Sequence, residues 1–245
     1  AFVSRQLKQS QISAMNTLNS SFQTQVDSAI RNLDAVSVNI NYSNQSKTIL
    51  DNSFNLNISS NMLSAMSDLF ISLSGTELKA DQVNLYDFSG YVLEAGISTI
   101  VKKTDGSKDE WIEVARELEG KKVLTPPYCT REYTKTATYD QWFISLYRSF
   151  NNQYKRGVGV IETAKQCKSV FKSIITYKKK NHEDAASIYV FDSNGDLIYP
   201  YDISQEYKAA LQPYYELTKG DDSALTFISP LTGKTEYAAE AVSSY

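Results

Sequence analysis

The chain has 245 residues, with 25 Lys+Arg, 28 Asp+Glu, one His and two Cys, a formal net charge of −3 and a pI near 5.3. At roughly 100–200 residues per domain this is one large domain or two, and the acidic balance offers no global field for nucleic acid. One His and two Cys cannot build a two-Cys, two-His zinc site. A His-based triad would have to use His182, inside the solvated run Lys178–Asp184, and no stretch approaches the ~20 apolar residues of a membrane span.

The polar residues are skewed. There are 30 Ser, 15 Asn and 17 Tyr, and residues 1–61 hold ten of the Asn but only seven charged residues. A surface solvated by amides and hydroxyls is common on extracellular proteins. Cys129 and Cys167 fit either compartment, and their spacing does not say whether they pair. The first residue is Ala, so the sequence reads as a mature chain or a piece of a longer one.

Residues 3–36 read as one long helix. Val3, Leu7, Ile12, Met15, Leu18, Phe22, Val26, Ile30 and Leu33 recur at steps of three or four, with a single step of five, close to the helical period. About thirty helical residues span roughly 45 Å, more than one compact domain. Residues 41–61 read as loops and short turns around Ile49, Leu50, Phe54, Leu56 and Ile58, and a short helix follows at 60–73.

The texture then changes to strands. Residues 83–94 read as strand, turn, strand about Asp87-Phe-Ser-Gly90. Ser107-Lys-Asp-Glu110 has the form of a capping box and opens a helix through Leu118. Pro126-Pro127 forces an extended loop. Strands are expected at 139–150 and 156–163, and an amphipathic helix at 163–180. A second strand–turn–strand, Ser187–Pro200, echoes the first: Leu85–Leu93 and Val190–Ile198 share apolar-aromatic-Asp-x-x-Gly without a gap. A helix at 205–219, kinked or split at Pro213, and strands at 224–228 and 235–239 complete the chain. The fold class is α+β.

This order of elements resembles the double Cache sensory domain, the extracytoplasmic input domain of bacterial membrane receptors. The residues that carry the likeness are the helix 3–36, Val123-Leu-Thr-Pro-Pro-Tyr128, Trp142–Phe150, Gly157-Val-Gly-Val-Ile-Glu162 and the hairpin Ile188–Pro200. The resemblance implies a long N-terminal helix with two stacked PAS-like lobes, each wrapping an antiparallel sheet. The divisions are 1–60, stalk helix and loop; 61–180, membrane-distal lobe with the inter-lobe helix; and 181–245, membrane-proximal lobe. It further implies a non-catalytic sensor without a cofactor, anchored by membrane spans outside both ends, dimeric in the full receptor and binding a small molecule in the distal lobe. The compact 142–162 hairpin is most similar to sensor histidine kinases of Gram-positive bacteria, with a chemoreceptor ectodomain as the alternative.

The candidate ligand contacts are Tyr128, Tyr139, Asp140, Trp142, Tyr147, Arg148 and Glu162. An aromatic wall with a carboxylate suits an amine, through cation–π attraction and a charge-assisted hydrogen bond, or a sugar, through stacking. Amino-acid binders of the family carry Arg-x-Trp-aromatic where this chain is aligned as Asp140-Gln-Trp142-Phe143, so bidentate carboxylate recognition is absent there. Structural roles compete with these: Trp142 as sheet core, Arg148 as a bridging ion pair, Glu162 as the partner of Arg148. Strand alternation puts Asp140, Trp142, Ile144, Leu146 and Arg148 on one face, and Phe143, Ser145 and Tyr147 on the other. Two further classes stand beside sensing. One is an extracellular interaction module using the Ser/Asn-rich helix, the other a hydrolase using Asp140 and Glu162.

Overall fold

The computed structural model describes residues 2–53, 60–75, 78–88, 90–97, 99–131, 141–151, 157–182, 186–218 and 225–243. They form two compact units: residues 29–169, and residues 1–28 together with 170–245. Helix α1, Phe2–Tyr42, contributes to both. The division falls at 169/170, inside the short helix that follows the long hairpin.

In the unit 29–169, α1 ends at Ser43. The Ser43 N–H closes the last turn on the Asn39 carbonyl at 3.0 Å, and its hydroxyl accepts from the Ser46 N–H at 3.2 Å. That hydroxyl caps a second helix, α2 (Asn44–Ser53). The loops expected over 41–61 are therefore helical as far as residue 53; polar residues that favour turns are also the residues that favour helix N-termini. Residues 54–59 lie outside the described residues. Helix α3 follows at Ser60–Ser74.

The sheet is built from β1 (Gln82–Asp87), β2 (Tyr91–Gly96), β3 (Val101–Lys103), β4 (Lys122–Leu124), β5 (Tyr128–Thr130), β6 (Gln141–Asn151) and β7 (Gly157–Gln166). Its order is β3-β2-β1-β7-β6-β4, with β5 also on β6 and every pairing antiparallel. The β1–β2 turn uses Asp87, whose carboxylate accepts from the Tyr91 N–H at 2.9 Å, and Gly90 at φ +92. Pro126 and Pro127 lack the N–H that an edge strand donates. They therefore separate β4 from β5, and Thr125 keeps the contact with β6 by bonding both ways to Ser145.

Alternation divides the sheet into two faces. One carries Val83, Leu85, Leu93, Ala95, Leu146 and Ile161, which pack with Leu33, Val36 and Ile40 of α1 and Leu69 and Phe70 of α3. Leu33, Val36 and Ile40 are at most 3% exposed, at helical spacing. The opposite face carries Gln82, Asn84, Tyr86, Glu94, Ser145, Tyr147 and Glu162, all buried. Helix α4 (Asp109–Glu117) packs there through Ile112 and Ala115. The capping box read at its start does not form. Ser107 donates its N–H to Asp105 at 2.9 Å, and Lys108 precedes the helix with no side-chain cap.

The other unit is rich in ring contacts. Helix α5 (Cys167–Val170) ends on this unit's residue 170, and Phe171 and α6 (Lys172–Asn181) follow; Phe171 meets Tyr199 and Tyr201, with centroids 5.0 and 5.9 Å away, and Tyr177 meets Phe22 of α1. Among the described residues its β-structure is two separate ribbons, β8 (Val190–Phe191) with β9 (Leu197–Tyr199), and β10 (Leu225–Ile228) with β11 (Thr235–Ala238). Helix α7 (Gln205–Thr218) runs unbroken through Pro213 and buries Leu211 and Tyr214 against Leu197, Tyr189 and Phe227. Asn19 and Gln23 of α1 donate their amides to the carbonyls of Ala239 and Val242. Part of the amide-rich surface of α1 is thus used within the fold.

Candidate functional site: a buried carboxylate in an aromatic box

The register sets Glu162 between Asn84 of β1 and Tyr147 of β6, on the face covered by α4. Its side chain is fully buried. One oxygen accepts from the Tyr86 hydroxyl at 2.7 Å and the Asn84 amide at 2.8 Å. The other accepts from the Ser145 hydroxyl at 2.6 Å and the Tyr128 hydroxyl at 3.0 Å. Four donors fill the roughly four lone-pair sites of a carboxylate, but all four are neutral. The cation of the site is Lys108, whose Nζ stands 3.7 Å from Glu162 Oε1 and 4.0 Å from the centroid of the Tyr128 ring.

Burial alone would raise the Glu162 pKa. The Lys108 charge and the bonds from Ser145, Tyr86 and Asn84 outweigh it and hold the carboxyl below its ordinary range. The tyrosines move the other way. Burial, and then the Glu162 charge, push Tyr86 and Tyr147 well above the ordinary phenol value. Trp111 of α4, Tyr147 and Tyr86 form a stacked row with centroids 6.4 Å apart at each step. The Tyr147 hydroxyl is buried in this row.

A second buried carboxylate shares the face. Glu94 pairs with Lys102 of β3 at 2.9 Å. The cavity between the sheet face and α4 is bounded by Tyr86, Glu94, Lys102, Ser107, Lys108 and Ile112. It measures about 10 Å³, room for about one water molecule.

Of the seven residues singled out from sequence, the structure brings Tyr128, Tyr147 and Glu162 together. Trp142 and Arg148 fall on the opposite face by register. Arg148 donates to Ser37 at 3.0 Å, to the Gly120 carbonyl and to Asp34, which Lys122 also contacts at 2.8 Å. It joins the sheet to α1, on the face opposite Glu162. Tyr139 and Asp140 lie outside the described residues. Sequence reasoning missed Asn84, Tyr86, Lys108 and Trp111. The polar alternation Gln82-x-Asn84-x-Tyr86 was a readable signal, since a polar strand face in a covered sheet needs a reason. Lys108 left no signal of its own, being absorbed into the capping-box pattern. Among the described residues no group of His, Cys, Asp and Glu could hold a metal ion, and no helix is long and apolar enough to cross a membrane.

No family model matches the sequence, and no curated protein does. Solved structures do. The sensory domain of the Campylobacter jejuni chemoreceptor Tlp3 (CcmL) superposes with a TM-score of 0.62 at 14% identity, covering 96% of this chain and 90% of that one. The periplasmic sensory domain of C. jejuni Tlp1 gives 0.58 at 14% identity, covering 97% and 92%. The ligand-binding domain of the Pseudomonas aeruginosa amino-acid chemoreceptor PctC, in complex with GABA, gives 0.59 at 8% identity, covering 94% and 91%.

The chain has the fold of a chemoreceptor sensory domain. The α+β class, the long N-terminal helix and the antiparallel sheet expected from sequence are thus observed, and the solved domains named above are those of chemoreceptors. In this sensory-domain fold the helical layer formed by α4 and the loop before it covers Glu162.

Proposed function

We propose that the chain is the extracytoplasmic ligand-sensing domain of a bacterial transmembrane receptor, and that the unit 29–169 binds a small molecule carrying a primary ammonium group. The observation that carries this is the fully buried Glu162, surrounded by four neutral donors and the ring of Tyr128. A buried carboxylate held ionised by the Lys108 charge and by hydrogen bonds from Ser145, Tyr86 and Asn84, with an aromatic face 4.0 Å from the cation, is the chemistry that recognises an ammonium ion through charge and cation–π attraction. Solved domains of the same fold are described with isoleucine and with GABA; both ligands carry such a group, which supports the assignment.

The receptor sits in the membrane through spans outside both ends of the chain and works as a homodimer. Ligand entry requires the loop 104–108 and α4 to move, because the cavity has no room for more than a water. The ligand shifts signalling only as far as it binds the open and closed arrangements differently. The hairpin 142–162 supports a sensor histidine kinase as the output; the fold shared with chemoreceptor domains supports a chemotaxis output equally.

A thermal-shift screen of amines, amino acids, sugars and organic acids tests the assignment. A ligand at a hundred times its Kd adds about 2.7 kcal/mol, which for a chain of this size raises the melting temperature by about 5–11 °C. The active compounds should carry an ammonium group and should lose their effect on Glu162→Gln. A hit confined to sugars or organic acids would overturn the ammonium assignment, and no hit in any class would overturn sensing by this site.

A further inference from the structure

We propose that Lys108 is a tethered occupant of the cation subsite at Glu162, so that the empty sensor is filled by its own ammonium and an incoming ligand competes with that residue. The competitor's being a ligand rests on the sensing function above. The subsite's acceptance of a free ammonium ion does not.

Three features point to occupancy rather than to a structural ion pair. First, Lys108 comes from a loop, not from the sheet that builds the box. It is the N-cap residue of α4, with φ −112 and ψ 3, no side-chain cap bond and its carbonyl accepting from the Ile112 N–H at 3.0 Å, so it withdraws with the loop and α4 while the strands that build the box stay in place. Second, its contact with Glu162 is 3.7 Å, beyond hydrogen-bond reach. The four acceptor sites of the carboxylate are already taken by Asn84, Tyr86, Tyr128 and Ser145. The Glu162 charge and the Tyr128 ring both act on the ammonium, and neither attraction depends on the tether. Third, the Lys108 side chain is only 12% exposed, so its ammonium is held inside the site beside the carboxylate rather than in solvent.

Self-occupancy sets the sensor's affinity. A ligand meets the binding-competent state only in the fraction of molecules whose Lys108 has swung away, and its apparent Kd is raised by the inverse of that fraction. Removing the tether should therefore open the site to simple alkylammonium ions that the wild type ignores.

The test is chemical rescue on the full chain. Lys108→Ala deletes Cγ, Cδ, Cε and Nζ, and n-propylammonium replaces those four atoms. Melting is followed by tryptophan emission, which reports the unit 29–169 because both tryptophans, Trp111 and Trp142, lie there. n-Propylammonium should raise the Lys108→Ala melting temperature saturably, by about 3–6 °C at ten times its Kd, against sodium chloride at equal ionic strength. The wild type should not move, and Lys108→Ala combined with Glu162→Gln should not respond. If Lys108→Ala fails to fold in sodium chloride, refolding in n-propylammonium should recover the native emission. No saturable shift and no recovery, or an equal shift in the wild type, would overturn the proposal. Rescue together with an empty ligand screen would leave the subsite standing and count against sensing alone.

Discussion

Glu162→Gln is the most informative single change, because its consequences follow from the bonds around one carboxylate. The amide keeps one acceptor oxygen for the Ser145 and Tyr128 hydroxyls, which sit at 2.6 and 3.0 Å. Its NH₂ then faces two donors. The Tyr86 hydroxyl can turn to accept. The Asn84 amide cannot turn without breaking its bond from Gln82 at 2.9 Å. Lys108, mostly buried, loses the charge it faces. Breaking a buried ion pair from one side costs about 3–5 kcal/mol; the part-exposed ammonium can relax toward water, while the donor–donor conflict adds about 1 kcal/mol. The net expectation is about 3–5 kcal/mol at pH 7, or a melting temperature lower by about 6–20 °C. The assay is urea denaturation followed by tryptophan emission between pH 7 and pH 3. The folded pKa of Glu162 lies below its ordinary value, so its contribution is fully present above the unfolded pKa near 4.5 and is lost as the pH falls through the folded value. The gap between wild type and variant should therefore be widest at neutral pH and close in acid. Pairing the variant with Lys108→Met should recover much of the loss, because both charges then leave together. A variant within about 1 kcal/mol of wild type at pH 7, the worth of a surface ion pair, would refute the reasoning.

Other expectations concern residues away from the box. Arg148→Met removes the links from β6 to Ser37, Asp34 and the Gly120 carbonyl; urea melts should show a loss of about 2–4 kcal/mol, and calorimetric affinity for any ligand found should stay within twofold of wild type. Gly195→Ala places a Cβ 2.7 Å from the Tyr215 ring at a residue with φ +88, so a loss of about 1–3 kcal/mol is expected in thermal melts followed by circular dichroism. Neither cysteine is in a disulfide: Cys129 is exposed, and Cys167 is buried with its thiol pKa pushed far up by desolvation. A thiol-reactive chromophore should therefore titrate one cysteine in the native protein and two in urea; two in the native state would contradict the burial of Cys167.

The alternation argument for β6 was sound in the sequence, since Phe143, Ser145 and Tyr147 do share a face. The seven candidate contacts nonetheless drew on both faces. Choosing between them requires the pairing register, in which Tyr147 stands opposite Glu162 while Arg148 stands opposite Ile161. Arg148 is attractive in sequence because a guanidinium beside a Trp looks like a ligand clamp; Asp34 and Ser37, more than a hundred positions earlier, are what claim it. The helix over 44–53 was hidden for a local reason: Ser and Asn favour turns and helix caps alike, and Ser43 serves as a cap here.

By itself the sequence determined what repeats along the chain. The long apolar stripe of α1, the two Asp-x-x-Gly hairpins and the order of helices and strands are local patterns, written in steps of two or of three to four residues. They were enough for the α+β class. The tertiary structure decided what the residues face. It set Glu162 between strands distant in sequence, buried it with four neutral donors, and brought Lys108 to it from a loop 54 positions away. Nothing within a few residues of Lys108 marks it, because the field that holds it belongs to β7 and the ring beneath it to β5. A lysine's partner is fixed by the fold of the whole unit, and the chemistry of this site lies in that partnership.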